Sequence, residues 1–114
     1  MLAEQLRAAL RTAIKARDRV AVTALRSALA AIENAEAVEV TGAAQHGLAI
    51  EQSPGLGGAE VQRRTLTEAD VARIVDAEIA DREAAARTYV TAGHTDRADL
   101  LLAEAAILRR YAQA

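Results

Sequence analysis

Residues 20–36 read VAVTALRSALAAIENAE, and the rest of the sequence is organised around this stretch. Its large apolar side chains recur at spacings of three and four residues, which is the period of one face of an α-helix. Small alanines widen this face and allow neighbouring helices to approach closely. We therefore expect a central helix that the other helical segments cover. The large apolar positions are Val22, Leu25, Leu29 and Ile32, and the alanines are Ala24, Ala28, Ala31 and Ala35.

The composition of the 114-residue chain favours a single helical domain over residues 1–114. Alanine, the residue with the highest helix propensity, dominates, and there is one proline. The chain has no cysteine, which excludes disulfide and thiolate chemistry. Charges interrupt the first residues, so they do not resemble a signal peptide, and no apolar run approaches the roughly 20 residues of a membrane span. We expect a soluble, cytoplasmic protein without a membrane partner.

The net charge of −2 is unevenly distributed. Residues 1–35 carry six basic and three acidic side chains, whereas residues 65–114 carry six basic and nine acidic ones. Two explanations are open. The halves attract each other within the fold, which is the commoner meaning of such a pattern, or the first half faces a polyanion.

The N-terminal segment predicts an amphipathic helix over residues 2–17, because an apolar residue recurs every four positions. A basic row beside it is either a solvated flank, which is the commoner meaning, or a phosphate-contacting stripe. Asp18 suits the N-cap of the central helix, and so short a link makes the two helices antiparallel neighbours. The apolar positions are Leu2, Leu6, Leu10 and Ile14, and the basic row is Arg7, Arg11 and Lys15.

Residues 37–65 differ from the rest because glycines and Ser53-Pro54 interrupt helical periodicity. So long a connection is uncommon in a compact domain. We expect a flexible loop, a binding loop or a short β-ribbon formed by residues 38–40 and 61–63. The glycine cluster at residues 55–58 is not a phosphate loop, since no strand precedes it and no Gly-Lys-Ser/Thr follows.

A second helical hairpin is predicted after this loop. Thr67 and Asp70 suit a capping box, Gly93 suits the left-handed residue after the third helix, and Thr95 or Asp96 suits the cap of a fourth helix over residues 96–112. The predicted fold is all-α, with about four helices in two antiparallel hairpins joined by the Gly-rich loop. The apolar positions are Val71, Ile74, Val75, Ile79, Ala86 and Tyr89 in the third helix, and Ala98, Leu101, Leu102, Ala105, Leu108 and Tyr111 in the fourth.

No constellation typical of an active site or metal site is found, so we expect neither catalysis by the chain alone nor a cofactor. Acids crowd the third helix, where Glu78 and Arg82 can pair at i,i+4, and a charged solvent face is their commonest meaning. The least favoured alternative is a small enzyme that an oligomer completes, with these acids near His94 of a neighbour. The acids are Asp76, Glu78, Asp81 and Glu83.

Several short motifs occur in an order and spacing typical of one family. They are EQL at residues 4–6, KARD at 15–18, LR at 25–26, AAIENAE at 30–36, LTEADV at 66–71, AG at 92–93, and AE at 103–104 followed by Ile107, Leu108 and Tyr111. Together they resemble the GatB/YqeY family, whose YqeY-like proteins are similar to the C-terminal region of the GatB subunit of the glutamyl/aspartyl-tRNA amidotransferase. The resemblance covers essentially the whole chain except residues 37–65.

The resemblance implies an all-helical, non-catalytic accessory domain. In the amidotransferase, a carbon–nitrogen ligase with glutamine as amido-N-donor, this region helps to hold tRNA while catalysis lies in other domains and subunits. The implied partner is therefore tRNA or an amidotransferase-type complex. The sequence departs from the family after Tyr111, where Ala112-Gln113-Ala114 stands in place of Leu-Pro and a distal helical lobe, and in its long 37–65 loop.

Six polar residues are candidates for RNA contact. Two of them, Arg26 and Asn34, match the family pattern and lie about 80° apart on one side of the central helix. The structural alternative is that Asn34 ends this helix and Arg26 pairs with an acid of the third or fourth helix. The alternative function is a protein–protein interaction module whose 37–65 loop orders on a partner. The RNA-binding candidates are Arg7, Arg11, Lys15, Arg19, Arg26 and Asn34.

Overall fold

Four α-helices make up the part of the chain that the structure, a computed structural model, describes. This part comprises the backbone of residues 1–47 and 65–112 and the side chains of residues 1–37 and 65–112. The helices form two antiparallel hairpins and no strand occurs in the described ranges, so the predicted all-α fold is confirmed. They are α1 (Leu2–Ala16), α2 (Arg19–Gly47), α3 (Glu68–Thr91) and α4 (Thr95–Ala112).

Helix α2 contributes six of the fifteen buried apolar residues of the described core, more than any other helix. Its buried face combines Leu25, Leu29 and Ile32 with the fully buried Ala24 and Ala28. Each alanine adds a single carbon to the helix surface, so neighbouring backbones pack closely over it. Full burial of each large side chain stabilises the fold by about 1.5–3 kcal/mol. The predicted helix and its apolar face are confirmed.

Helices α2 and α3 begin at the residues that the sequence predicts, and hydrogen bonds to capping side chains stabilise both starts. The Asp18 carboxylate accepts a hydrogen bond from the Ala21 amide at 3.1 Å at the start of α2. Thr67 and Asp70 form the predicted capping box, with both reciprocal bonds at 3.0 Å. Gly93 adopts φ 86° directly after α3, a conformation that favours glycine because it has no Cβ. Each device depends on residues within one turn of each other.

Two helix boundaries differ from the prediction. Helix α2 runs on to Gly47, so the backbone of residues 38–40, a candidate ribbon strand, is helical. The glycine at position 42 is tolerated because one interior glycine costs only about 1 kcal/mol relative to alanine. Helix α4 begins at Thr95, which places Asp96 in its first turn. The second candidate ribbon segment, residues 61–63, lies outside the described residues.

Two predicted apolar positions lie on the surface. Ile14 is 47% exposed because a four-residue repeat drifts by about 40° per step, and by its fourth member it has left the buried face of α1. On α4, Leu102 is 45% exposed whereas Glu104 is buried. The buried face of α4 therefore includes Glu104 instead of Leu102. Glu104 forms an ion pair with Arg82 of α3.

Candidate nucleic-acid interface

Five exposed basic side chains lie on the first hairpin, and we call this set the basic face. All of its side chains are exposed, three of them on α1 and two on α2. Each step of four residues along α1 advances about 6 Å, so the α1 row is about 12 Å long. Two α2 members seven residues apart share one side of that helix. The basic face consists of Arg7, Arg11, Lys15, Arg19 and Arg26.

None of the side chains of the basic face makes an ion pair with a side chain of residues 1–37 or 65–112. Glu68 pairs across the hairpins with the N-terminal ammonium group of Met1 at 3.4 Å, whereas the other ion pairs of second-hairpin acids among these residues are with arginines of the same hairpin. Glu83, for example, accepts hydrogen bonds from Arg109 at 2.7 and 3.1 Å. Within the described residues, no ion pair joins a basic side chain of the first hairpin to an acid of the second. The basic face is therefore open to an external anion.

The two residues that match the family pattern best are both exposed. Arg26 has no acidic partner among the described residues, so the alternative that it pairs with an acid of the third or fourth helix is wrong. Asn34 lies inside α2, which continues to Gly47, so it does not end the helix. Arg26 and Asn34 are eight residues apart, which is about 12 Å along the axis of α2. Both are accessible, but they do not form a compact site.

A buried polar cluster joins three helices, and of its contacts only the Glu78–Arg82 pair was predicted; we call it the Arg82 network. The Arg82 guanidinium donates to Glu78 and to Glu104, each at 2.9 Å, and to the Glu78 carbonyl at 3.1 Å. Ser27 of α2 donates its hydroxyl to the same Glu78 carboxylate at 2.9 Å. The side chains of Arg82, Glu78 and Glu104 are only 11%, 20% and 9% exposed.

The Arg82 network holds helices rather than a substrate. Both carboxylates bind one guanidinium, so neither is presented to a ligand as a free acid or base. No buried side-chain nitrogen or oxygen in the described ranges lacks a hydrogen-bond partner. The predicted Glu78–Arg82 pair is confirmed, but it lies in the interior instead of on a solvent face. A sequence signal existed, since Glu104 interrupts the apolar positions of α4 between Leu101 and Ala105.

An open cleft of about 250 Å³ lies where the end of α4 meets the α1–α2 turn, and we call it the hairpin-end cleft. Alanines form much of its wall. Its polar groups are two hydroxyls, a carboxylate and a guanidinium, and it has one aromatic ring. The lining residues are Ala9, Thr12, Ala13, Ala16, Asp18, Ala21, Leu25, Ile107, Arg110 and Tyr111. Sequence reasoning missed this site because its members are almost a hundred residues apart.

The turn between α3 and α4 carries the histidine considered for catalysis. His94 lies edge-on to Tyr89 with ring centroids 6.0 Å apart, and the Arg97 guanidinium lies 5.8 Å from the centroid of the same tyrosine ring. Across the described residues, no three histidine or acidic side chains are grouped to hold a metal ion. No helix in these ranges combines the length and apolarity needed to cross a bilayer.

No family model, curated protein or solved structure matches the chain. The similarity to the GatB/YqeY family rests on the sequence motifs alone and stays a prediction.

Proposed function

We propose that the chain is a non-catalytic, helical accessory domain that binds RNA through its basic face, with tRNA or a tRNA-amidotransferase-type complex as its partner. One observation carries the proposal: five exposed basic side chains of the first hairpin have no ion-pair partner in the described part of the chain. The sequence resemblance supports tRNA as the polyanion.

Unpaired surface cations favour phosphate binding energetically. No existing ion pair of the described residues has to break before the basic face contacts a phosphate. Four of its five members are arginines, whose planar guanidinium matches phosphate oxygens in a bidentate manner. Each neutralised phosphate also releases condensed counterions, which makes binding strongly dependent on salt.

The charge arrangement also predicts which hairpin contacts RNA. Three of the six arginines of the second hairpin, Arg73, Arg82 and Arg109, pair with acids of that hairpin. A polyanion approaching this hairpin also meets exposed acids such as Asp76 and Asp81. We therefore assign the phosphate contacts to α1 and to the first two turns of α2.

Fluorescence anisotropy of labelled bulk tRNA tests the proposal. If all five cations contact phosphates, the logarithm of affinity falls with the logarithm of salt with a slope of about −4.5. Raising salt from 50 to 200 mM then weakens binding about 500-fold, given the slope of roughly −0.9 for each phosphate. Absence of binding at 50 mM salt refutes the proposal.

A matched pair of double variants locates the contacts. Arg7→Gln/Arg11→Gln removes two charges from the basic face and is expected to make the salt slope shallower by about 2. Arg87→Gln/Arg97→Gln removes two exposed charges from the second hairpin and is expected to leave the slope within about 0.5 of the parent value. Equal effects of the two variants contradict the assignment to the first hairpin.

A protein–protein interaction module is the second candidate, and one observation favours it. Val90 and Leu102, which are 55% and 45% exposed, lie at a cleft of about 500 Å³ between α3 and α4. Exposed apolar side chains around a groove are common at protein contacts. The sequence prediction placed the partner at the 37–65 loop, most of which lies outside the described residues. Protection of this loop from limited proteolysis by a purified binding protein, with no salt-dependent tRNA binding, favours this candidate.

A further inference from the structure

The hairpin-end cleft has the size and surface of a site for one planar ring. Its volume of about 250 Å³ falls just below the roughly 300–1,000 Å³ that drug-sized ligands occupy. Alanines on α1 and α2 leave the space open, and the aromatic residue Tyr111 belongs to the same lining. Stacking of a base on an aromatic side chain contributes substantially to single-strand binding.

Positive charge around the cleft selects an anionic ligand. Arg110 lines the cleft, and Arg17 and Arg19 flank its lining residue Asp18 in the chain. All three are exposed and have no ion-pair partner among the described residues. Arg19 also belongs to the basic face, which makes the cleft continuous with the surface proposed to hold phosphates. An RNA base that unstacks and enters the cleft therefore stays linked to backbone phosphates that the basic face contacts.

The Asp18 carboxylate is a hydrogen-bond acceptor among these arginines, and it restricts which base can bind. An oxygen of the Asp18 carboxylate accepts from the Ala21 amide at 3.1 Å, and the other oxygen has no partner among the described residues. A carboxylate requires hydrogen-bond donors from its ligand. The Watson–Crick edge of guanine presents two adjacent donors, N1–H and the 2-amino group. Adenine and cytosine present an amine beside an acceptor nitrogen, and the single imide N–H of uracil lies between two carbonyls.

From this geometry we infer that the hairpin-end cleft binds an unstacked guanine base of single-stranded RNA, stacked on Tyr111 and hydrogen-bonded to Asp18. The inference deepens the proposed function and rests on it, because the basic face brings the strand to the cleft. Recognition of splayed-out bases through stacking and the Watson–Crick edge is the general mode of single-stranded RNA readout.

The test uses labelled twelve-nucleotide RNAs in anisotropy titrations at 50 mM salt. The probes are all-uridine RNA, the same RNA with one central guanosine, and the same RNA with inosine in place of that guanosine. We expect the guanosine probe to bind about tenfold tighter than the uridine probe, since a bidentate contact discriminates roughly 5- to 150-fold. Inosine lacks the 2-amino group and is expected to lose most of this preference.

Two variants separate the cleft from the basic face. Asp18→Asn keeps an N-cap residue of similar capping strength, so α2 still begins normally, but it replaces the pure acceptor. We expect it to abolish the guanosine preference while uridine binding changes less than twofold. Tyr111→Leu is expected to weaken the guanosine probe at least fivefold, whereas Arg7→Gln/Arg11→Gln weakens all three probes by the same factor.

The outcomes distinguish the two ideas. Salt-dependent binding without a guanosine preference, or with a preference that Asp18→Asn leaves intact, overturns the cleft inference and leaves the proposed function standing. If neither these probes nor bulk tRNA bind at 50 mM salt, the proposed function itself is overturned, whereas binding of tRNA alone overturns only the cleft inference. Displacement of the guanosine probe by GMP as readily as by unlabelled guanosine RNA would assign the cleft to a free nucleotide and overturn the assignment to RNA.

Discussion

Replacement of Arg82 by methionine is the sharpest test of how the fold is held together. The substitution Arg82→Met keeps a long apolar stem and removes the guanidinium that binds two carboxylates. Glu104 then loses its only contact in the Arg82 network, whereas Glu78 retains the Ser27 hydroxyl at 2.9 Å. A carboxylate that is nearly buried and unpaired is strongly disfavoured.

The expected loss of stability follows from the burial. Removing one partner of a buried ion pair costs about 3–5 kcal/mol. Because Glu78 is 20% exposed and keeps one hydrogen bond, we expect the lower end, about 3 kcal/mol. A chain of 114 residues has a free energy of unfolding of roughly 6–17 kcal/mol at 0.05–0.15 kcal/mol per residue. The variant is therefore expected to fold, with measurably lower stability.

Urea denaturation followed by circular dichroism at 222 nm measures the effect. With a slope of about 1–3 kcal/mol per molar urea, the transition midpoint falls by roughly 1–3 M. Arg109→Met is the matched control, because it breaks the more exposed pair with Glu83 and is expected to cost less than about 1 kcal/mol. The triple variant Glu78→Gln/Arg82→Met/Glu104→Gln removes every charge of the network and is expected to recover at least half of the loss.

A cost of Arg82→Met no larger than that of Arg109→Met would refute the reasoning. It would mean that water reaches Glu78 and Glu104 as freely as it reaches Glu83. A triple variant that is less stable than Arg82→Met alone would likewise contradict the view that unpaired carboxylates cause the loss.

Four further predictions concern single positions, each measured by the same denaturation assay. Thr67→Ala removes the hydroxyl that caps α3 and is expected to cost about 1 kcal/mol, whereas Thr67→Asn costs less than half as much. Gly93→Ala is expected to cost about 1 kcal/mol through its φ of 86° alone, since a Cβ there meets no atom within 4 Å. Ala28→Leu is expected to cost about 1–3 kcal/mol, because this fully buried alanine leaves no room between α2 and its neighbours. By contrast, Leu102→Ser is expected to change stability by less than about 0.5 kcal/mol because the side chain is exposed.

Local features were predictable from the sequence because their causes are local. The Asp18 cap, the Thr67 capping box and the left-handed Gly93 each depend on a few neighbouring residues and one turn of backbone. The central helix was predictable because residues 20–36 carry an unbroken apolar period. The end of this helix at Gly47 was not, since its glycine at position 42 suggested a break that surrounding helix formers override.

Features that depend on contacts between helices could not be predicted. The burial of Glu104 in place of Leu102 depends on Arg82, which lies on another helix and comes within 2.9 Å only in the folded chain. The hairpin-end cleft likewise joins the α1–α2 turn to the end of α4. For the basic face, the sequence indicated the row on α1, but only the structure excluded direct pairing between Arg26 and an acid of the described second hairpin.

The positions of the two tyrosines allow ligand binding to be followed by intrinsic tyrosine fluorescence. With no tryptophan in the sequence, ultraviolet emission arises from Tyr89 and Tyr111 alone. Tyr89 lies beside His94 at the α3–α4 turn, whereas Tyr111 lines the hairpin-end cleft. A Tyr89→Phe chain would therefore emit from the cleft only, and occupancy of the cleft would be read without a label. Emission from a Tyr111→Phe chain would serve as the blank, since its remaining fluorophore lies outside the lining of the cleft.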